Sequence, residues 1–283
     1  MRWRGGRRSQ NIEDRRGMRV SRGIAGGGIG AVILLVAALF FGVDPSIVLQ
    51  NGPTFEDTTS SPQGQPPTAG GELPEFVSVV LADTEDTWHA IFQELGGTYQ
   101  EPTMVLFTGA VQSACGFAQA AVGPFYCPGD RRVYLDLSFF EELRTRFGAP
   151  GDFAQAYVIA HEIGHHVQTL LGITQEVNRL RGQVGQVEAN DLSVRVELQA
   201  DCFAGLWAHR AQRSRQILEE GDIEEGLNAA SAIGDDRLQR ESRGYVSPDS
   251  FTHGSSAQRV RWFERGLASG DPASCDTFSA DRI

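Results

Sequence analysis

The sequence predicts an α+β domain, mostly helical with a small early sheet, behind one N-terminal transmembrane helix. Residues 24–43 form an uncharged apolar run, and two short strand patterns lie between residues 103 and 137. From residue 152 onward, apolar side chains recur at helical spacing with little strand pattern. The 283 residues, 41% hydrophobic and 22% charged, have the composition of a folded globular protein, which excludes fibrous and wholly disordered classes.

The charges are distributed unevenly along the chain. All 25 basic residues are arginine, and against 36 acidic residues they give a net charge of −11. Residues 1–22 carry eight arginines and two acidic residues, a local charge of +6, so the other 261 residues carry −17. An acidic body repels nucleic-acid phosphates, so no nucleic-acid partner is expected. A basic tail beside an apolar segment is typical of contact with anionic lipid.

These patterns divide the chain into four parts. Residues 1–22 are predicted to be a basic cytoplasmic tail, residues 23–43 a transmembrane helix, residues 44–72 a Pro/Ser/Gly-rich linker and residues 73–283 the folded domain. The apolar run is about 30 Å long as a helix and lacks a clear cleavage site, which disfavours the alternative of a cleaved signal peptide. The arginines place the N-terminus in the cytoplasm and the domain outside, as in a single-pass protein of the cell membrane.

The domain is expected to begin with a helix near residues 75–95 and two strands, at 103–108 and 132–137. A short helix at 139–147 follows, with Ser138 as its N-cap. Further helices are predicted at the following ranges, with Asp152 as the N-cap of the first and Ser255 or Ser256 as that of the last: 152–171, 190–212, 222–232 and 255–268.

All four cysteines lie in the predicted extracytoplasmic part. None belongs to a C-x-x-C motif, so disulfides are favoured over a cysteine zinc site. Three pairings are possible; Cys115 and Cys127 flank a short loop, and pairing them leaves Cys202 to hold the C-terminal tail through Cys275.

The most informative segment is AYVIAHEIGHHVQTLLG, residues 156–172. His161 and His165 are four apart, so both imidazoles can reach one metal ion from one helix face. Glu162 is offset around the helix by about 100 degrees and can reach a water at the metal without ligating the metal. An exposed polar face is the alternative, but this helix is apolar nearly all round, and buried His and Glu need partners.

A catalytic zinc needs a third protein ligand. A metzincin would have Gly and His where this chain has Gln168 and Leu171, so that subclass is excluded. The segment VRVELQADCFAGLWA instead offers Glu197 as the ligand and Asp201, one turn later, as the partner of a His ligand. His166 points away from the shared face and is interpreted as a hydrogen-bonded structural residue.

Four blocks of the sequence resemble the bacterial family of putative neutral zinc metallopeptidases: residues 113–140, 146–168, 196–208 and 249–259. The resemblance covers nearly everything after the linker. It implies a zincin-like metallopeptidase domain behind a basic N-terminus and one transmembrane helix, with Zn²⁺ as cofactor.

The first hypothesis is a membrane-anchored zinc peptidase that cleaves protein, peptide or cell-wall peptide outside the cytoplasmic membrane, with Glu162 moving the proton. The alternatives are a non-catalytic zinc-stabilised envelope-binding domain and an anchored interaction protein without metal. A purely structural zinc site would not require Glu162. His253, in a loop before the last helix, is expected to stabilise the oxyanion, whereas a hydrogen bond to the helix cap is its alternative role. Tyr245 is the next candidate.

Overall fold

The computed structural model of the protein describes residues 1–17 and 71–283. The predicted transmembrane helix at 23–43 and all but the last two residues of the predicted linker lie outside these ranges. Among the residues described, no helix combines the length and the apolar character that crossing a membrane requires.

The main sheet has four strands in the order β1-β2-β6-β5. They are β1 (Ile12–Asp14), β2 (Thr103–Phe107), β5 (Phe125–Cys127) and β6 (Arg132–Asp136). Strands β1, β2 and β6 are parallel, and β5 is an antiparallel edge strand. The hairpin β3 (Ala110–Ser113) and β4 (Gly116–Gln119) forms a second, two-stranded sheet. The two predicted strands are confirmed as β2 and β6, and the shorter strands were not predicted.

Eight α-helices lie in the described part of the chain: α1 (Glu72–Glu94), α2 (Ser138–Thr145), α3 (Asp152–Leu170), α4 (Ile173–Arg181), α5 (Gln186–Arg215), α6 (Asp222–Ala232), α7 (Asp235–Arg243) and α8 (Ser256–Ser269). The predicted cap Ser255 forms a complete capping box with Gln258. Asp152 and Ser138 are first helical residues rather than caps, because Gly151 and Leu137 precede them at the cap positions. Helices α4 and α7 were not predicted.

Small residues bring the three central helices close together. A side chain at Gly266 would collide with the backbone of Cys202, and one at Gly205 with the backbone of Phe263, so α5 and α8 cross in backbone contact. Gly164 of α3 faces Ala200 of α5, where an added Cβ would lie 3.0 Å from the Ala200 Cα. His161 and His165 flank Gly164 on α3, and Glu197 lies one turn before Ala200 on α5. This helix contact therefore places the predicted ligands near one another.

Both predicted disulfides are confirmed. Cys115–Cys127 joins the β3–β4 turn to the end of β5, and Cys202–Cys275 fixes the C-terminal segment to α5. The described residues contain no free cysteine.

The N-terminal residues differ from the prediction of a separate tail at 1–22. Residues 1–16 belong to the same compact unit as the domain, where they supply β1 and pack Trp3 against Phe76 of α1. Their arginines contact carboxylates of the domain, for example Arg7 with Glu85 and Arg4 with Glu72. These acidic partners lie some seventy residues further along the chain, so the local charge pattern does not reveal them.

Candidate metal centre

Two adjacent helices bring the predicted ligands together. His161 and His165 lie on α3 with their ring centroids 4.8 Å apart, and Glu197 faces them from α5. The Glu197 carboxylate lies 3.2 Å from Nε2 of His161 and 3.5 Å from Nε2 of His165. One ligand atom from each of the three residues lies within 4.8 Å of the others. Two imidazole nitrogens and one carboxylate oxygen form a donor set that suits zinc, so the residues fit the metal.

Glu162 is close to this cluster without belonging to it. Its side chain is buried at 8% exposure and lines the same cavity as the three candidate ligands. It therefore has the position expected of a proton-transferring group beside a metal.

Asp201 contacts Nδ1 of His161, the ring nitrogen that does not face Glu197, as predicted. Its Oδ1 lies 2.9 Å from Nδ1 of His161, which makes Nδ1 the protonated nitrogen and leaves Nε2 free to face Glu197. Tyr157 donates to the same oxygen at 2.5 Å, and Arg259 donates to both oxygens at 2.9 Å. Asp201 is completely buried, and this network satisfies its charge.

Sequence reasoning missed Arg259 and Tyr157. Arg259 is 2% exposed and precedes Trp262, Phe263 and Gly266 by three, four and seven positions, which places it on the buried stripe of α8. An arginine at a core position of an amphipathic helix requires a buried anion, and this spacing was the available signal.

His165 also has a second partner that was not predicted. Its Nδ1 lies 2.9 Å from Oε1 of Gln168, one helical turn later on α3. Gln168 is fully buried and donates to the backbone carbonyl of Val196 and to Gln199, both on α5. The side-chain amide therefore fixes the His165 ring and ties the two ligand-bearing helices together.

In the absence of metal, the neighbouring charges raise the pKa of His161 and lower that of Glu197. Burial lowers the pKa of His161, but the charge of Asp201 and the hydrogen bonds that the ring donates to Asp201 and Glu197 outweigh this effect and raise the pKa to about 10. Burial raises the pKa of Glu197, but the charge of His165 and hydrogen bonds from both imidazoles hold it well below its usual range. Both shifts favour protonated imidazole beside ionised carboxylate in the absence of metal, so a bound cation must displace protons.

The structure places His253 at the same cavity. An Oδ2 oxygen of Asp235, at the start of α7, accepts hydrogen bonds from the backbone N–H groups of Thr252, His253 and Gly254. The other Asp235 oxygen lies 3.3 Å from Nδ1 of His253, and this hydrogen bond raises the pKa of the ring. One carboxylate therefore shapes the loop and orients the imidazole, a contact that differs from the predicted alternative of a bond to the helix cap.

The other three histidines have local partners. His166 is fully buried between the Gln100 carbonyl and the Tyr126 hydroxyl, and burial lowers its pKa to about 4, which confirms its structural interpretation. His209 contacts the Leu267 carbonyl. His89 pairs with Glu101 and is half exposed.

The cavity at the cluster has a volume of about 620 Å³. Its lining includes residues of the edge strand β5 and of the segment before it, together with the apolar side chains Phe139, Phe147, Val158, Ile233 and Leu238. Both polar groups suited to act on a carbonyl, Glu162 and His253, also line it. The cavity therefore combines apolar side chains with polar groups beside the candidate metal site.

The fold and site define a class: an α+β domain whose HExxH helix and facing glutamate form a candidate zinc centre. The family model "Putative neutral zinc metallopeptidase" matches residues 1–278, and the chain belongs to this family. The match begins at residue 1 and therefore includes the N-terminal segment that forms β1.

Two relatives are similar to the chain over most of their length. The chain is 50% identical over 290 residues to the uncharacterized protein YpfJ of Escherichia coli K12, covering 98% of this chain and 99% of that protein. It is 42% identical over 255 residues to the uncharacterized protein Rv2575 of Mycobacterium tuberculosis H37Rv, covering 86% and 85%. No solved structure matches the chain.

Proposed function

We propose that this protein is a zinc-dependent peptidase that hydrolyses peptide bonds, with His161, His165 and Glu197 as the zinc ligands. The observation that carries the proposal is the position of Glu162. Glu162 lines the same cavity as the three candidate metal ligands but does not belong to that group of ligands. Zinc, when bound, would supply positive charge that polarises the scissile carbonyl and lowers the pKa of the attacking water.

Residues of the chain transfer the proton, orient the histidine ligands and stabilise the carbonyl oxygen. Glu162 accepts a proton from the attacking water and passes it to the leaving amine. Asp201 keeps His161 in the tautomer that presents Nε2, and Gln168 does the same for His165. His253, oriented by Asp235, donates a hydrogen bond to the carbonyl oxygen as negative charge develops on it.

The two disulfides support the proposed compartment. Two disulfides favour an oxidising compartment, so we propose that the enzyme acts outside the cytoplasmic membrane on protein, peptide or cell-wall peptide. The apolar run within residues 23–43 is the proposed membrane attachment.

The test uses the full-length chain and its Glu162→Gln variant. Both proteins are loaded with zinc, their metal content is measured, and each is incubated with a mixed peptide library analysed by mass spectrometry. We expect one zinc per chain in both proteins and cleavage by the wild type alone. Equal cleavage by the two proteins would contradict the mechanism, and zinc binding without cleavage by either would favour a zinc-stabilised binding domain.

A further inference from the structure

Helix α1 contains a buried carboxylate whose partners come from the N-terminal segment, more than seventy residues earlier in the chain. The side chain of Glu85 is 1% exposed. Within the described residues, every hydrogen bond to it comes from the N-terminal segment: Arg7 at 2.8 Å, Ser9 at 2.5 Å and Asn11 at 2.9 Å. Burying a carboxylate without partners is strongly unfavourable, so this position of α1 is compatible with folding only when residues 7–11 are in place.

The backbone of the same segment completes the sheet. Ile12, Glu13 and Asp14 pair in parallel with Met104, Val105 and Leu106 of β2. Just before β1, the N–H of Ser9 donates to the Ser78 carbonyl at 3.0 Å, and the Ser78 hydroxyl donates back to the Ser9 carbonyl at 3.2 Å. Without β1, the edge of β2 would present unpaired N–H and C=O groups beside the core.

Apolar and charged contacts extend along α1. Trp3 is 8% exposed and packs edge-to-face on Phe76 with ring centroids 5.4 Å apart. Arg4 pairs with Glu72 and Arg8 with Glu75, and on the sheet side Arg132 pairs with Glu13 at 2.9 Å. The exposed pairs contribute little stability singly, but they show that the basic segment and acidic helix are complementary in charge.

We propose that the surface formed by α1 and the β2 edge, called here the docking surface, binds residues 1–16 of the same chain, so that these residues and the domain occupy the same side of the membrane. A chain that crossed the membrane once between residues 17 and 70 would separate Glu85 from its partners. The arrangement with a cytoplasmic N-terminus and an extracytoplasmic domain is therefore replaced by one in which both are in the oxidising compartment that the disulfides indicate. This inference does not depend on peptidase activity.

Cysteine labelling tests the sidedness in the full-length protein. The sequence has four cysteines, all of them disulfide-bonded, so one introduced cysteine gives a specific signal. Gln10 and Glu188 are exposed positions of the N-terminal segment and the domain, and each is replaced by cysteine in a separate protein. We expect a membrane-impermeant maleimide to label Gln10→Cys and Glu188→Cys equally in intact spheroplasts. Labelling of one only before lysis would overturn the proposal.

A second measurement tests docking itself. In purified full-length protein, Trp3→Ala should lower the melting temperature by at least about 5 °C, since it removes a buried aromatic side chain. Arg2→Ala is the matched control, because the Arg2 side chain is 61% exposed. A Trp3→Ala protein that melts with the wild type would show that residues 1–16 do not pack on the domain.

Discussion

The substitution Asp201→Asn would separate two roles of one carboxylate. In the native protein Asp201 accepts from His161, Tyr157 and Arg259 while completely buried. Asparagine keeps an oxygen for Nδ1 of His161 but removes the negative charge. We expect zinc affinity to fall by about 10- to 100-fold, the usual effect of losing the partner of a histidine ligand, which corresponds to about 1.4 to 2.8 kcal/mol.

The same substitution affects stability through a different residue. Arg259 is 2% exposed and would lose its buried counter-ion, which costs about 3 to 5 kcal/mol in the free energy of unfolding. Adding Arg259→Met removes the unpaired charge. The double variant should therefore recover most of the stability but not the zinc affinity.

The assay measures zinc affinity by competition with a chromogenic chelator and stability by urea unfolding of the metal-free proteins. Tyr157→Phe is the matched control, because it deletes one hydrogen bond to Asp201 and leaves the charge in place. Wild-type zinc affinity in Asp201→Asn would refute the proposal that Asp201 supports metal binding through Nδ1 of His161. Recovery of both affinity and stability in the double variant would show that the metal effect is only a consequence of misfolding.

Three further predictions concern the reaction and the metal. Glu162→Gln should retain zinc and lose about 10²- to 10⁴-fold in kcat, measured with a peptide that the wild type cleaves, because it removes proton transfer. His253→Ala should keep stoichiometric zinc while kcat/KM falls by at least about tenfold; unchanged turnover would remove its role and direct attention to Tyr245. Metal-free protein should lose stability as the pH rises from about 6.5 to about 10. The pKa of His161 is about 6.5 in the unfolded chain and about 10 in the folded protein, so its protonation stabilises the fold fully below about pH 6.5 and no longer above about pH 10. Melting curves with chelator measure this loss, and a flat profile would contradict it.

The sequence predicted the site better than it predicted the fold around it. The i, i+4 spacing of His161 and His165 depends only on helix geometry, so it could be recognised without any tertiary information. Glu197 and Asp201 could be inferred because charged residues on an apolar helix require partners. Strands β1, β3, β4 and β5 have three or four residues, which is too short for alternation to be recognised, and pairing between distant segments determines them.

The N-terminal segment shows which contacts a local charge pattern leaves out. Arginines beside an apolar run satisfy the rule for a cytoplasmic tail, and that rule considers only residues near the run. The same arginines are complementary to acidic side chains on α1, and nothing local distinguishes a carboxylate partner from a lipid phosphate. Glu85 distinguishes the two kinds of partner, because a buried acidic residue on an apolar helix needs a partner within the protein, as Asp201 does. The burial of Glu85 within α1 therefore indicates that a segment with hydrogen-bond donors packs on this helix.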